Sequence, residues 1–242
     1  MGSDRVIVVA DEARERVAAL GVPPERIAVV SNTLHDRFDT EAVELPELER
    51  RFRGRFVLSY FGSLGHYRRI DTVIRAMPRI LQQVPHAHLL IVGEVQARPE
   101  CRDLARELGV RDHVTFERWQ PAEQMRAYMR ISDIGLLPHV ADEHTHNTLP
   151  HKLFQYMHIG VAVLVSECRP LRRIVEAEGC GVVAPGMASS PDTLADAVIA
   201  LATDNEGRRE MGRRGTVSVS ARYRWSHEAD RLTAMYTGLS EP

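Results

Sequence analysis

The sequence is poor in lysine, cysteine and long apolar runs. Lys152 is the single lysine among 31 basic residues. The three cysteines, Cys101, Cys168 and Cys180, show neither a CxxC pair nor the His/Cys spacing of a zinc site, so we expect buried thiols in a reducing compartment. No apolar run reaches the roughly 18 residues of a membrane span. The patterns GxGxxG and GxxxxGK are absent, which disfavours NAD-binding and P-loop chemistry.

The composition is close to that of an average globular protein, with 44% hydrophobic and 26% charged residues over 242 positions. The 31 basic residues nearly balance 33 acidic ones, so the net charge of -2 predicts no strong attraction to nucleic acid or anionic lipid. The first residues run into a strand-like segment without the charged and apolar regions of a signal peptide. This start predicts a cytoplasmic protein.

Short apolar strands alternate with amphipathic helices along most of the chain. Strands are predicted at 6–10, 27–30, 56–62, 88–93, 113–116, 134–138, 161–165 and 181–184, and helices at 11–20, 70–84, 101–109, 123–131, 150–159, 170–178, 191–203, 206–220 and 225–239. Parallel strands need such helices between them, so the pattern predicts an α/β fold with a Rossmann-like parallel sheet and helices on both faces. Residues 35–54 mix turn formers, acids and arginines without a clear period and are predicted as a linker.

Ligands of such sheets bind at the carboxyl ends of the strands, so the loops there are the first place to look. The loop after strand 56–62 reads GSLGHYRR. Its glycines and Ser63 allow backbone amides to approach a ligand, and the helix that follows favours an anion at its start. Arg68 and Arg69 add charged donors. The loop therefore predicts a phosphate site, and an ordinary tight turn with solvated arginines is the alternative.

The segment 138–160 is the most informative loop. Asn147 and Thr148 are predicted as N-cap residues of the helix that follows, with a proline in its first turn. The backbone amides of Thr148 and Leu149 are then expected to face the ligand. A capped helix that binds nothing is the alternative.

Lys152 and Gln155 lie in the first turns of that helix. The lysine is placed where a phosphate would bind, near the positive end of the helix dipole. Gln155, one turn later, could donate and accept hydrogen bonds from a polyol. Both residues are therefore candidate ligand-binding side chains.

Histidines and acids in the same loop suggest two further hypotheses. His144, His146 and His151 could bind a metal, but solvated loop histidines are the favoured interpretation, because zinc ligands normally come from ordered, supported positions. Asp142 and Glu143 could supply a catalytic carboxylate, although acids are common in exposed loops. We expect no metal site.

Six segments resemble, in order, those of the retaining GT-B glycosyltransferases of group 1, the GT4 type. They are DRVIVVADEARERVAALGVPPERIAVVSNTL, YFGSLGHYRRIDTVIRAMPRI, LLIVGE, VRDHVTFERWQPAEQMRAYMRISDIGLLPH, NTLPHKLFQYMHIGVAVLVSE and RYRWSHEADRLTAMY. The resemblance covers nearly the whole chain and implies the C-terminal, donor-binding half of such an enzyme. It implies four parts: residues 1–34 as a remnant of the N-terminal domain with the hinge strand, 35–54 as a linker, 55–220 as the nucleotide-sugar-binding domain, and 221–242 as a C-terminal crossing helix.

The resemblance also implies roles for single residues. Arg68 stands where the family often has a lysine that holds the donor diphosphate, and Ser63 stands where many members have an arginine. Glu117 to Trp119 fall where the family's backbone contacts the base, with Arg118 in place of the usual glycine. The residues expected to bind the donor phosphates are Gly62, Ser63, Arg68, Thr148, Leu149 and Lys152.

Asn147 and Gln155 occupy the positions of the family's two glutamates, and both lack the carboxylate. In the family the first glutamate is associated with the donor sugar and the second with the ribose. Gln155 is therefore expected on the ribose, near Arg118 and Trp119 at the base. Asn147 can still form hydrogen bonds, but it cannot act as a base, so no catalytic residue is assigned.

The resemblance implies a retaining transferase that moves a sugar from a UDP- or GDP-sugar to an acceptor, without a cofactor or metal, in bacterial surface glycan or glycolipid synthesis. Its partners would be the nucleotide sugar and an N-terminal acceptor domain, with peripheral association at the inner face of the membrane through that domain. Because the acceptor domain is missing, this chain alone is expected to be inactive. A non-catalytic nucleotide-sugar-binding module and a nucleotide-sugar epimerase of the same fold are the alternatives.

Overall fold

A six-stranded parallel sheet lies at the centre of the protein, in a computed structural model that describes residues 4–40, 43–94 and 98–239. In chain order the strands are β1 (Val6–Val8), β2 (Ile27–Val29), β3 (Phe56–Gly62), β4 (Ala87–Gly93), β5 (Val114–Arg118), β6 (Ile134–Leu137), β7 (Ala162–Val165) and β8 (Gly181–Val183). The central sheet has the order β5-β4-β3-β6-β7-β8, and β1 and β2 form a separate parallel pair. The predicted Rossmann-like parallel sheet is confirmed.

Helices cover both faces of this sheet. They are α1 (Asp11–Ala19), α2 (Arg37–Thr40), α3 (Pro46–Phe52), α4 (Ile70–Gln83), α5 (Glu100–Glu107), α6 (Ala122–Arg130), α7 (His151–Ile159), α8 (Arg169–Glu178), α9 (Pro191–Thr203), α10 (Asn205–Arg222) and α11 (Trp225–Leu239). The pair α4 and α9 packs together, and so does the pair α7 and α10. Within the described ranges, no helix combines the length and apolarity that a membrane span requires.

The alternation of side chains along the buried strands produces two cores. Leu58 and Tyr60 of β3 belong to the core that also contains residues of α4, α5 and α9, whereas Val57 and Phe61 belong to the core with α6, α7 and α8. Successive side chains of a strand point to opposite faces, so a continuous apolar strand fits a sheet covered on both sides. All three cysteines are buried and free, which confirms the expected buried thiols.

The small β1–β2 unit is tied to the main sheet by α1. Glu12 of α1 is almost fully buried and accepts hydrogen bonds from Arg173 of α8, with a distance of 2.8 Å from Nε to Oε1. Burial acts to raise the pKa of Glu12, but the hydrogen bonds from Arg173 and from its own backbone lower it below the usual value. The pair is therefore charged, and it orients α1 against α8.

The segment after β2 is held by the start of α11. Leu34 N–H donates to the carbonyl of Tyr223 at 2.9 Å, and Trp225 N–H donates to the carbonyl of Leu34 at 2.8 Å. Ser31 N–H donates to Oε2 of the buried Glu228 at 2.9 Å. These bonds fix residues 31–34 beside the carboxyl edge of the central sheet.

Two observations concern the predicted domain boundaries. Residues 35–54, predicted as a linker, contain α2 and α3. Helix α10 continues to Arg222, two residues beyond the predicted domain end. Parts of the predicted segments lie outside the described residues: 1–3 and 240–242 at the ends, 41–42 in the predicted linker, and 95–97 in the loop after β4.

The predicted cap of α7 is wrong. The helix begins at His151 with Pro150 as its N-cap, and no side chain caps it. A proline disfavours helical geometry in the residue before it, so the helix cannot start earlier. Asn147 instead ends a 3-10 turn, Thr145–Asn147, and its Nδ2 donates to the carbonyl of Glu143 at 2.6 Å.

Candidate functional site

The main cavity opens where the strand order reverses, at the carboxyl ends of β3 and β6. These two strands are neighbours in the sheet but are separated by β4 and β5 in the chain, so their loops diverge and leave a crevice, as expected for open α/β sheets. The cavity has a volume of about 760 Å³. Its lining contains Asn32, Thr33, Leu34, His35, Arg37, Phe38, Phe61, Gly62, Ser63, Arg68, Trp119, Gln120, Ala122, Glu123, Met125, Met129, His144, Thr148, Leu149, Pro150, His151, Lys152 and Gln155.

Gly62 ends β3 in a conformation that requires glycine. Its φ is +132°, and a Cβ there would lie 3.1 Å from Nζ of Lys152. The hydroxyl of Tyr60 donates to the carbonyl of Ser63 at 2.6 Å and fixes the start of the loop. Of the sequence-predicted residues, Gly62 therefore lies directly beside Lys152, and Ser63 follows it in the cavity lining.

Lys152 lies at the floor of the cavity without an acidic partner. Its Nζ is 3.9 Å from the centroid of the Tyr60 ring, close enough for a cation–π interaction. Among the described residues, no carboxylate comes within 4.0 Å of Nζ. Burial, and then the nearby charge of Arg68, hold the pKa of Lys152 well below its usual value. An anion in the cavity would stabilise the ammonium form.

Arg68 is the second cation of the cavity wall. Its guanidinium carbon lies 4.6 Å from the centroid of the Tyr67 ring, and its Nη1 lies 3.0 Å and 2.5 Å from the two ring nitrogens of His139. Its Nε is buried and has no hydrogen-bond partner. Within the described ranges no carboxylate pairs with Arg68 either. Arg68 and Lys152 thus share one cavity, and among the described residues the one carboxylate of its lining, that of Glu123, pairs with neither.

His139 is a residue that the sequence analysis missed. It is 3% exposed, and its carbonyl accepts a hydrogen bond from the hydroxyl of Ser166 at 2.6 Å. Burial, followed by the charges of Lys152 and Arg68, holds its pKa well below 6.5, so the imidazole is neutral. The sequence carries one signal for it: His139 lies two residues after β6, in one of the loops at the carboxyl ends of the strands.

The start of α7 contributes Thr148, Leu149 and Gln155 to the cavity. The carbonyl of Leu149 accepts a hydrogen bond from Nδ2 of Asn32 at 3.2 Å. This bond connects the loop before α7 to the segment after β2. Sequence reasoning had assigned residues 32–38 to the remnant and the linker, yet they form one wall of the cavity.

Asn147 is not part of the lining, because its side chain is directed to the carbonyl of Glu143. The two acids of this loop are also engaged elsewhere. Oδ1 of Asp142 accepts from Thr145 N–H at 2.8 Å, and this bond is the main reason that the pKa of Asp142 lies below its usual value. Glu143 forms an ion pair with Arg16 at 2.6 Å. Neither acid lines the cavity.

The residues predicted near a base divide into two groups. Trp119 lines the cavity and is 61% exposed, so its ring is available to a ligand. Arg118 does not line the cavity, and its carbonyl accepts from Nε2 of Gln120 at 3.1 Å. Glu117 pairs with Arg51 at 2.5 Å.

The loop histidines do not form a metal cluster. His144 and His151 line the cavity, whereas Nδ1 of His146 accepts a hydrogen bond from the backbone of Arg169 at 3.2 Å. Over residues 4–40, 43–94 and 98–239, no group of three or more His, Cys, Asp or Glu residues is arranged to hold a metal ion.

A family model described as "Glycosyl transferases group 1" matches residues 44–217. The chain is 28% identical, over 98% of its length and 62% of the relative's, to a GDP-mannose-dependent alpha-(1-6)-phosphatidylinositol monomannoside mannosyltransferase of Mycobacterium tuberculosis. It is 27% identical, over 99% of its length and 58% of the relative's, to a D-inositol 3-phosphate glycosyltransferase of Thermomonospora curvata. The chain therefore spans about three fifths of these curated relatives.

A solved structure of Anabaena HepE in complex with UDP-glucose matches with a TM-score of 0.83 at 15% identity, covering 98% of this chain and 64% of that one. At that identity the match concerns the fold alone.

Proposed function

The chain belongs to the group 1 glycosyltransferase family, and on that premise we propose that its cavity binds the nucleoside diphosphate of a UDP- or GDP-sugar as the donor site of a retaining glycosyltransferase. The observation that carries the proposal is the pairing of Arg68 and Lys152 in one cavity without an acidic partner among the described residues. A diphosphate supplies the negative charge that balances these two cationic side chains. The named GDP-mannose-dependent relative and the fold neighbour bound to UDP-glucose support this choice of ligand.

The proposed reaction breaks the bond between the anomeric carbon and the diphosphate oxygen and forms a bond from that carbon to the oxygen of an acceptor hydroxyl, which loses its proton; negative charge develops on the departing diphosphate. Arg68 and Lys152 stabilise that charge in the cavity, where the protein surroundings make electrostatic interactions stronger than in water. Two fixed cations can do this without a metal ion. Retention at the anomeric carbon follows the family resemblance and is checked by the anomeric configuration of the product.

At the other end of the cavity, we propose that Trp119 stacks on the base and that Gln155 forms hydrogen bonds with the ribose. The exposure of the Trp119 ring supports the first role, and the position of Gln155 in the lining supports the second. An acceptor domain in the whole protein would complete the site. The phosphatidylinositol mannoside in one relative's name supports a glycolipid acceptor at the membrane face.

A non-catalytic nucleotide-sugar-binding module is the second candidate. One observation favours it: Asn147 replaces a carboxylate and turns its amide to Glu143, away from the lining. Asn147→Glu and Gln155→Glu variants of the chain joined to an acceptor domain would distinguish the two candidates. If the unsubstituted protein transfers the sugar, the enzyme is supported. If neither the unsubstituted protein nor the two variants transfer it, the binding module is supported.

The donor site is tested by calorimetric titration of the chain with UDP, GDP, ADP and dTDP, each beside its monophosphate and a sugar-linked form. We expect one base to be preferred, with binding that requires the diphosphate. Lys152→Met should weaken this binding, whereas Arg75→Gln, which removes an exposed arginine on α4 outside the lining, should not. Equal affinity for mono- and diphosphates would contradict the proposed site.

A further inference from the structure

We propose that His139 is a positioning residue for anion binding: its imidazole holds the guanidinium of Arg68 in the cavity wall, so that the guanidinium and Lys152 act on one diphosphate. The identity of the anion rests on the proposed function. The contact between His139 and Arg68 does not, because both groups belong to the described structure.

The guanidinium of Arg68 is held on two sides. Its Nη1 meets the imidazole edge, at 3.0 Å from Nδ1 and 2.5 Å from Nε2 of His139, and its plane lies over the ring of Tyr67. Both contacts involve groups that cannot neutralise the charge. Nη2 of Arg68 makes no hydrogen bond within the described ranges and is available to bind a ligand.

His139 is itself fixed by the loops on either side of the cavity. The hydroxyl of Ser166, directly after β7, donates to its carbonyl. The next residue, Val140, donates its N–H to the carbonyl of Tyr67 at 2.8 Å. The loop after β6 therefore carries His139 to the loop after β3, and its backbone is held between the ends of β7 and β3.

Only a neutral imidazole has a lone pair for the guanidinium. The charged groups that face His139 are Arg68 from the turn after β3 and Lys152 from α7, and the third titratable neighbour is His144 from its own loop. The positive charges of Arg68 and Lys152 and the burial of the ring all favour the neutral form. A carboxylate at this position would also orient Arg68, but it would cancel the charge that attracts the anion.

The test uses inorganic pyrophosphate as a probe, because it carries no base or sugar. We expect His139→Leu to weaken pyrophosphate binding by about tenfold, the lower end of the range for a hydrogen bond to a charged group. His139→Gln places an acceptor near the position of Nε2 and should bind within about threefold of the unaltered chain. His139→Met has nearly the length of the glutamine side chain but no comparable acceptor and should resemble His139→Leu, so the Met and Gln pair decides the question even if the leucine variant does not fold.

Two controls separate positioning from general destabilisation. His88→Leu removes another buried histidine, at the amino end of β4, and should leave pyrophosphate binding unchanged. In an Arg68→Gln background, His139→Leu should cause no further loss, because a positioning residue acts only through the residue it positions.

Additive losses in the double variant, or equal binding by the Gln and Met variants, would overturn the inference. So would an unaltered chain that does not bind pyrophosphate. If the expected pattern appears but no nucleotide binds more tightly than pyrophosphate, the proposed donor site is wrong and the positioning role stands. If a nucleoside diphosphate binds with base preference and His139→Leu has no effect, the proposed donor site stands and the positioning role of His139 is wrong.

Discussion

Nζ of Lys152 lies 3.9 Å from the centre of the Tyr60 ring, and the hydroxyl of the same tyrosine holds the carbonyl of Ser63. One aromatic side chain thus supports both the cation and the loop that faces it. An aromatic face stabilises an ammonium group weakly and leaves its charge available to a ligand. This relationship explains how a partly buried lysine is kept without an acid beside it.

We predict that nucleotide binding is accompanied by proton uptake at Lys152. Burial and Arg68 lower the pKa of the free lysine, and a bound diphosphate raises it again, so the affinity should fall as the pH rises between these two values. Calorimetry in buffers of different ionisation enthalpy measures the uptake. Work above about pH 7.5 avoids the protonation of phosphate, whose second pKa is about 6. Lys152→Met should abolish the uptake; a lysine that is already charged in the free protein would give none in either form.

Arg68→Ala should weaken nucleoside diphosphate binding by about 1.5–3 kcal/mol, the range for hydrogen bonds to charged groups. Arg75→Ala is the matched loss of one arginine outside the lining and should change little. Titration of both variants with the same nucleoside diphosphate measures the two losses of affinity. A similar loss in both would show that overall charge, rather than a contact, drives binding.

Gly62→Ala should cost stability and binding together. The residue has φ +132°, which strains any other side chain by about 1–3 kcal/mol, and the new Cβ would lie 3.1 Å from Nζ of Lys152. Gly186→Ala is the control, because Gly186 also has positive φ (+83°) but a Cβ there meets nothing within 4 Å. Urea unfolding and nucleotide titration should show both variants destabilised and only Gly62→Ala impaired in binding.

Trp119→Ala should weaken the binding of UDP or GDP by about 1–2 kcal/mol, the scale of aromatic–base stacking, and leave pyrophosphate binding unchanged. The side chain is 61% exposed, so its removal should not lower the melting temperature. Parallel titrations with nucleotide and pyrophosphate test this expectation. An equal loss for both ligands would place Trp119 near the phosphates instead of the base.

His88 should make the fold sensitive to acid. Burial, and next the charge of Arg55, lower the pKa of this histidine to about 4 in the folded protein, while the unfolded chain takes up its proton near 6.5. The unfolded state therefore binds more protons between these values, and stability is lost as the pH falls from 6.5 through 4, by up to about 3 kcal/mol. The neutral ring bonds Thr115 at 2.8 Å.

His88→Gln can keep a hydrogen bond to Thr115 but does not titrate, so its unfolding free energy should depend less on pH over this window. His86→Gln, at an exposed position beside it, is the control. Urea unfolding at several pH values supplies the comparison. An unchanged slope for His88→Gln would contradict the assignment.

Local patterns were sufficient to predict most elements. The bounds of β3, α9 and α11 agree with the prediction, because apolar runs and 3.6-residue periods are properties of neighbouring residues. The short helices α2 and α3 were missed since neither is long enough to show a period. The start of α7 was predicted at Pro150, one residue before the observed start, and its cap was misassigned because Asn147 and Thr148 are common capping residues while the N-cap is Pro150 itself.

The alternation of strands and helices follows from the sequence alone, and with it a parallel sheet that is followed by a loop with Gly62 and Arg68 and by a helix with Lys152. These follow from local periodicity and from glycines, arginines and lysines at fixed places. Only the tertiary structure decided the strand order, the approach of Leu34 to Tyr223 and the contact of Arg68 with His139. The last two contacts join residues at least 71 positions apart, and a side chain's burial and charge state depend on neighbours that no local pattern identifies.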